Sequence, residues 1–249
     1  MDTLKEYLPQ SVEGKRILIT GGTTGIGRAT ALLLAKLGAH VMITGLDEQH
    51  LKDALEDLYK ETKGEVYDVI ADLSNEEGID TVFRKVDEHF DKLDILINNA
   101  ALAAENVEQG SYKEWHRVVN TNLTSYLACS GEALKRMKGD GHIVNIGSMS
   151  ADVREATGSV YVATKSGIQG FSEALRKEVN KSGIRVTLIE PGAVDTDMQD
   201  QPAEEKLKKV ENLEMLTADD IAMSVLYCLS QPKRCDVVEL KVRPHLQVI

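Results

Sequence analysis

Tyr161 and Lys165 stand four residues apart in YVATK, a spacing that places two side chains on one face of a helix. An ammonium beside a phenol favours the phenolate, because an opposite charge stabilises the ionised form. Unassisted, tyrosine titrates near ~10, too high for ready proton exchange at neutral pH. The pair is therefore equipped as a general acid/base. Tyr-x-x-x-Lys also occurs on ordinary amphipathic helices, so the rest of the chain must decide between the two roles.

Short apolar runs alternate with segments of helical period along the 249 residues. The runs are RILIT (16–20), HVMIT (40–44), VYDVIA (66–71), LDILIN (93–98), HIVNIG (142–147), IRVTLIE (184–190) and DVVELKV (236–242). Helical patterns separate them, including a long one through 111–138 and the YVATK segment. Seven nearly continuous apolar strands alternating with at least six helices predict an α/β fold: a mainly parallel sheet covered on both faces. No linker tract or repeat interrupts the rhythm, so residues 1–249 are expected to form one doubly wound domain. The segment 196–216 is the least regular. It is charged and follows a strand's C-terminal end, where open α/β sheets bind ligands, so it is either a lid over a substrate or a solvated surface segment.

TGGTTGIG, Thr20 to Gly27, lies between the first strand and the first helix. Glycines there allow a tight turn and close approach of backbone to a pyrophosphate, whose charge meets the helix N-terminus. The spacing is Gly21-x-x-x-Gly25-x-Gly27 rather than G-x-G-x-x-G. A P-loop is excluded because no Gly-Lys-Ser/Thr follows. A plain strand–helix turn is the alternative, disfavoured by its place after the first strand of a parallel sheet.

Composition narrows the function. A net charge of −11 disfavours nucleic acid and anionic membrane surfaces, which reward a basic face. Three cysteines without a C-x-x-C pair and six scattered histidines show no metal-ligand spacing, so no metal is expected. No apolar run is long enough for a membrane span or placed as a signal peptide, so a cytoplasmic protein is expected.

Together, TGxxxGxG, the NNA run Asn98–Ala100, Ser148 in NIGSMS and the Tyr161–Lys165 pair resemble the short-chain dehydrogenase/reductase family over about residues 12–242. The resemblance implies a Rossmann-type domain that binds NAD or NADP and moves a hydride to or from a carbonyl/alcohol carbon. It makes Tyr161 the general acid/base and Ser148, thirteen residues earlier, the hydrogen-bonding partner of the substrate oxygen. Lys165 is implied to bind the nicotinamide ribose and to lower the tyrosine pKa. Asn122, in VVNTNLTSY, corresponds to the fourth catalytic residue, interrupting its helix and holding a water that links the lysine to solvent; Asn120 is the weaker alternative.

Cofactor contacts implied by the resemblance are Gly21, Thr23, Thr24, Gly25, Ile26 and Gly27 in the glycine turn, Asp72 and Leu73 near the adenine, and Asn99 with Ala100 after the fourth strand. Pro191, Gly192, Val194 and Thr196 form the turn around the nicotinamide, beside Tyr161 and Lys165. For Asp72 a helix N-terminal acid is the simpler alternative. The long helices at 111–138 and 158–182 are implied to pack in a homodimer or homotetramer.

Three features depart from the family pattern. Ala101 replaces the glycine of NNAG, which costs about 1 kcal/mol if that position needs positive φ; a compatible backbone is expected instead. After the second strand the chain reads ITGLDEQ. Gly45 stands where NAD users carry an acid and Leu46 where many NADP users carry arginine, leaving only a slight lean to NADP. Asp47 reads more simply as a helix N-cap. The chain ends DVVELKVRPHLQVI without the Asp-Gly-Gly finish frequent in the family. A small carbonyl or alcohol is the expected substrate, met by 101–112, 149–160 and 196–216, which mix Leu102, Met149, Val153 and Met198 with Glu105, Asp152 and Arg154. A non-catalytic dinucleotide sensor and a methyltransferase on a related sheet are the competing readings. The first usually lacks the tyrosine or lysine, and the second gives no account of them.

Overall fold

The computed structural model describes residues 9–104, 106–154, 156, 158–198 and 201–247. Seven strands form one sheet in the order β3-β2-β1-β4-β5-β6-β7, and every neighbouring pair is parallel. They are β1 Arg16–Ile19, β2 His40–Gly45, β3 Val66–Ile70, β4 Ile95–Asn98, β5 Gly141–Ile146, β6 Ile184–Pro191 and β7 Glu239–Val242. The last strand is shorter than the apolar run 236–242 suggests. As an edge strand it exposes alternate residues and needs no continuous apolar sequence.

Alternation of side chains divides the core in two. Ile17, Ile19, Val41, Ile43, Ile95, Ile97 and Val144 face one side, with α1 Gly25–Lys36, α2 Glu48–Glu61 and α9 Ala218–Leu229 packed over them. Leu18, Met42, Leu96, Ile143 and Val186 face the other, under α3 Glu76–His89, α5 Ser125–Arg136 and α7 Ser159–Val179. Both faces are covered, which explains why period-2 patterning is missing from the central strands.

The remaining helices are α4 Tyr112–Val119, the short α6 Ser150–Val153 and α8 Ala203–Glu211. The long helix expected over 111–138 runs from Tyr112 to Arg136 as α4 and α5, continuous through helical backbone between them. Between α4 and α5 the backbone widens into a π-helical turn at Asn120–Thr124. β1 pairs with both β2 and β4, so strand order reverses at the carboxyl end of β1. That reversal opens a crevice above the sheet, where the glycine turn emerges.

Candidate active site

The crevice is a cleft of about 950 Å³. Its walls carry Gly21, Thr23, Thr24, Gly25 and Ile26 at one end, and Asp72, Leu73, Asn99 and Ala100 alongside. Ser148, Tyr161 and Lys165 line the same cleft with Pro191, Gly192 and Val194, and Thr196 lies against Gly25, where a Cβ would meet its Cγ2 at 3.1 Å. Two of the residues expected in the site stand behind the wall instead, Gly27 and Asn122. Thr121, next to Asn122, reaches the cleft.

The glycine turn is held by side chains of β4 and its loop. Asn99 donates its Nδ2 to the carbonyls of Thr20 (3.1 Å) and Gly21 (2.9 Å), while the Thr20 hydroxyl accepts from the amides of Asn99 and Ala100. Gly21 (φ 63°) and Gly25 (φ 51°) take left-handed backbone that favours glycine. Gly27 is required by packing: a Cβ there would lie 2.1 Å from the Gly21 carbonyl oxygen.

The helix that follows begins uncapped. Thr24, its N-cap, makes no side-chain cap bond, and no acid occupies the first turn. By contrast Asp47, Asn75, Ser111 and Thr217 cap α2, α3, α4 and α9. Free amides at a helix start beside a glycine turn suit an anionic phosphate group, so the residues present fit a dinucleotide.

Lys165 is 2% exposed and donates from Nζ to the Ile146 carbonyl at 2.9 Å. Its Nζ lies 5.6 Å from the Tyr161 ring centroid and 5.6 Å from that of Tyr126. The Tyr126 hydroxyl donates to the same Ile146 carbonyl at 3.1 Å. Burial pushes the Lys165 ammonium down to about 7, opposed by the Glu190 carboxylate. Tyr161 differs from the expectation drawn from its lysine neighbour. Burial raises the phenol above its ordinary value, and the opposing influence is the Ser148 hydroxyl. A lysine with its own charge weakened by burial is a poor activator; Tyr161 in the free protein is therefore a well-protonated phenol.

Asn122 is fully buried in the π-helical turn. Its Oδ1 accepts from Leu102 N (2.7 Å) and its Nδ2 donates to Leu102 O (2.8 Å). Interruption of the helix ladder was legible in the sequence. Full use of the amide by Leu102, twenty residues earlier, was not. Ala101 carries no positive φ among the described residues, so the alanine costs no backbone strain.

Gly45 has a packing reason to be glycine. A Cβ there would meet Thr23 Cγ2 at 2.4 Å, so any side chain at this position requires Thr23 to move. Asp47 caps α2 by accepting from His50 N at 2.8 Å, and this bond holds its carboxyl below the usual range. Asp72 accepts from Ser74 N at 2.9 Å, while Asn75 serves as the cap of α3.

Leu102, Met149, Val153 and Met198 line the cleft; Asp152 and Arg154 do not, and Glu105 lies outside the described residues. Among the described residues of the 196–216 segment, Thr196, Asp197 and Met198 alone line the cleft. Lys206 of α8 pairs with Asp195 (2.9 Å) and donates to Thr196 O (3.1 Å), tying that helix to the turn. Sequence reasoning missed Gln247, whose Oε1 accepts from Ala193 N at 3.1 Å beside the cleft. No motif marks it, because the tail reaches the site only by folding back. His50 was missed likewise.

Residues 15–207 match the family model of short chain dehydrogenase. The chain belongs to the short-chain dehydrogenase/reductase family. An uncharacterised oxidoreductase of Staphylococcus saprophyticus is 31% identical over 236 residues, 94% of this chain and 98% of the relative. A second, from Staphylococcus aureus, is 33% identical over 233 residues, 92% and 97% of the two chains. Among solved structures, a short-chain dehydrogenase from Burkholderia cenocepacia in complex with NADP superposes with a TM-score of 0.85 at 26% identity, covering 94% and 98%. Levodione reductase superposes with a TM-score of 0.83 at 27% identity, covering 92% and 96%. The chain is thus an oxidoreductase of this family. No helix among the described residues is long and apolar enough to cross a membrane.

Proposed function

We propose that the protein is an NADP-preferring reductase or dehydrogenase that acts on an uncharged carbonyl or secondary alcohol. The observation that carries this reading is the shared cleft. Tyr161, Ser148 and buried Lys165 line it together with a glycine turn that leads into an uncapped helix.

The dinucleotide, when bound, supplies the hydride donor or acceptor. Tyr161 gives the substrate oxygen its proton during reduction and takes it back during oxidation. In the free protein Tyr161 is protonated, the form from which it donates, and its raised pKa makes it a weak acid that substrate and cofactor must activate. Ser148 donates a hydrogen bond to the same oxygen and stabilises negative charge developing there. Lys165, held by Ile146 O with its ammonium 5.6 Å from the Tyr161 ring centroid, would hold the nicotinamide ribose of a dinucleotide. Amides of the glycine turn and of the start of α1 would hold the pyrophosphate. Asn122 clamps Leu102 in the loop that lines the substrate end.

Two features support NADP: a side chain at Gly45 would have to displace Thr23, which disfavours an acid there, and the Burkholderia relative is in complex with NADP. Among the described lining residues Lys165 is the only lysine or arginine, whereas Leu102, Met149, Val153 and Met198 offer apolar surface. That suits a neutral organic carbonyl and gives no anchor to a carboxylate substrate. A homodimer or homotetramer through the helices over 111–138 and 158–182 is part of the reading; light scattering tests it.

Fluorescence titration with NADPH and NADH, followed by a panel of neutral ketones and aldehydes, is the direct test. NADPH is expected to bind more tightly. Tyr161→Phe should keep that affinity and lower turnover by about 10²-fold or more. Unchanged turnover in Tyr161→Phe sinks the mechanism. Binding of neither nucleotide sinks the whole reading.

A further inference from the structure

Beyond β7 the chain folds back onto the cleft. Gln247 N donates to the carbonyl of buried Pro244 at 3.2 Å, closing a tight turn, and Leu246 N donates to Leu213 O at 2.9 Å. Leu213, just after α8, takes left-handed backbone (φ 62°), which a leucine adopts only where its surroundings hold it. The half-buried Gln247 side chain thereby reaches the turn after β6. Its Oε1 accepts from Ala193 N at 3.1 Å, and the residue lines the cleft. The approach is close enough to need a glycine: a Cβ at Gly192 would lie 2.2 Å from Gln247 Oε1 and 3.1 Å from both Arg243 Cβ and Pro244 Cδ.

Backbone bonds hold the neighbours of Ala193 N. Pro191 O accepts from Met149 N at 2.9 Å, next to Ser148, and Gly192 N donates to Val242 O at 2.7 Å. Ala193 O accepts from Leu216 N at 2.9 Å, and Asp195 N donates to Leu216 O at 2.8 Å. The Ala193 amide depends instead on a side chain carried by the tail. Tail, α8 loop and turn are thus stitched in a ring through Gln247–Ala193, Ala193–Leu216 and Leu213–Leu246.

We propose that Gln247 is a positioning residue for the nicotinamide portion of the dinucleotide: its side-chain oxygen latches the Ala193 amide and so fixes the 191–196 turn beside Ser148. The inference rests on the dinucleotide reading above. Because Pro191 O is bonded to Met149 N, movement of the turn is carried to the residue after Ser148. An N–H can be met only by an acceptor, so the Ala193 amide sets which way the Gln247 amide faces. A carboxylate oxygen can take over that duty, whereas a thioether of similar length is only a weak acceptor.

Two measurements on the full chain test this. The first is deuterium exchange of the Ala193 amide in the nucleotide-free protein, read by mass spectrometry with electron-transfer fragmentation. Gln247→Met should speed exchange about fivefold, and Gln247→Glu should bring it back to the wild-type rate. The second compares binding of NADPH with that of 2′-phospho-ADP-ribose, the same nucleotide without its nicotinamide. Gln247→Met should weaken NADPH about fivefold and leave 2′-phospho-ADP-ribose unchanged, and Gln247→Glu should recover the NADPH affinity. A general loss of structure would weaken both ligands together. Unchanged Ala193 exchange, unchanged NADPH affinity or equal loss of both ligands in Gln247→Met overturns the proposal; should that variant not fold, the same readings in Gln247→Ala decide. Wild type that binds neither ligand overturns the dinucleotide reading and the nicotinamide role with it, while Ala193 exchange still decides whether Gln247 holds the turn.

Discussion

Replacing Gly27 by alanine tests the glycine turn at its tightest point. The added Cβ would lie 2.1 Å from the Gly21 carbonyl oxygen and 2.5 Å from Asn99 Nδ2. Non-bonded carbon atoms rest at about 3.5 Å or more, so the turn must move by roughly 1 Å. Overpacking of this kind costs about 1–3 kcal/mol. The displaced carbonyl is the one that accepts from Asn99, and loss of that bond adds about 1 kcal/mol. A total of about 2–4 kcal/mol corresponds to a fall in melting temperature of roughly 5–15 °C for a chain of this size. NADPH affinity should fall at least about tenfold, since about 1.4 kcal/mol of lost contact suffices. Differential scanning fluorimetry and nucleotide fluorescence read the two effects. Gly131→Ala is the control: that glycine is exposed in α5 with nothing within 4 Å of a Cβ. It should leave NADPH binding unchanged. If Gly27→Ala matches wild type in both assays, the packing argument for the turn is wrong.

Asn122→Ala leaves the Leu102 N–H and carbonyl without partners and should cost about 2–4 kcal/mol by urea unfolding. Asn122→Asp keeps the acceptor alone and should fall between. Gly45→Asp is expected to lower the melting temperature because of Thr23. Paired with Thr23→Ala it should fold and shift the NADPH/NADH affinity ratio toward NADH; a stable single variant would show that Thr23 does not exclude the acid. His142, buried with Nε2 2.8 Å from the Thr187 hydroxyl, is held neutral down to about 3 by burial. Its unfolded form binds a proton below about 6.5. Each pH unit from there toward 3 should therefore cost about 1.4 kcal/mol of stability. His142→Gln should flatten that part of the stability–pH curve, and an unaltered slope would assign the acid sensitivity elsewhere.

Sequence by itself determined the parallel sheet, the glycine turn and the presence of Ser148, Tyr161 and Lys165. Each depends on local rules: continuous apolar strands buried on both faces, glycines between strand and helix, and side chains four residues apart on one helix face. Asp47 as an N-cap was legible for the same reason. Only the tertiary structure decided the rest. Asn122 spends its amide on Leu102, and Thr23 reserves the space above Gly45. Gln247 returns to the turn at Ala193 from the far end of the chain, while Lys241 meets Glu190 across two strands separated by α8 and α9. The ionisation of Tyr161 belongs with these. Spacing alone gives the phenol a neighbouring cation, but burial weakens that cation and raises the phenol, and burial is created by residues that sequence order does not bring together.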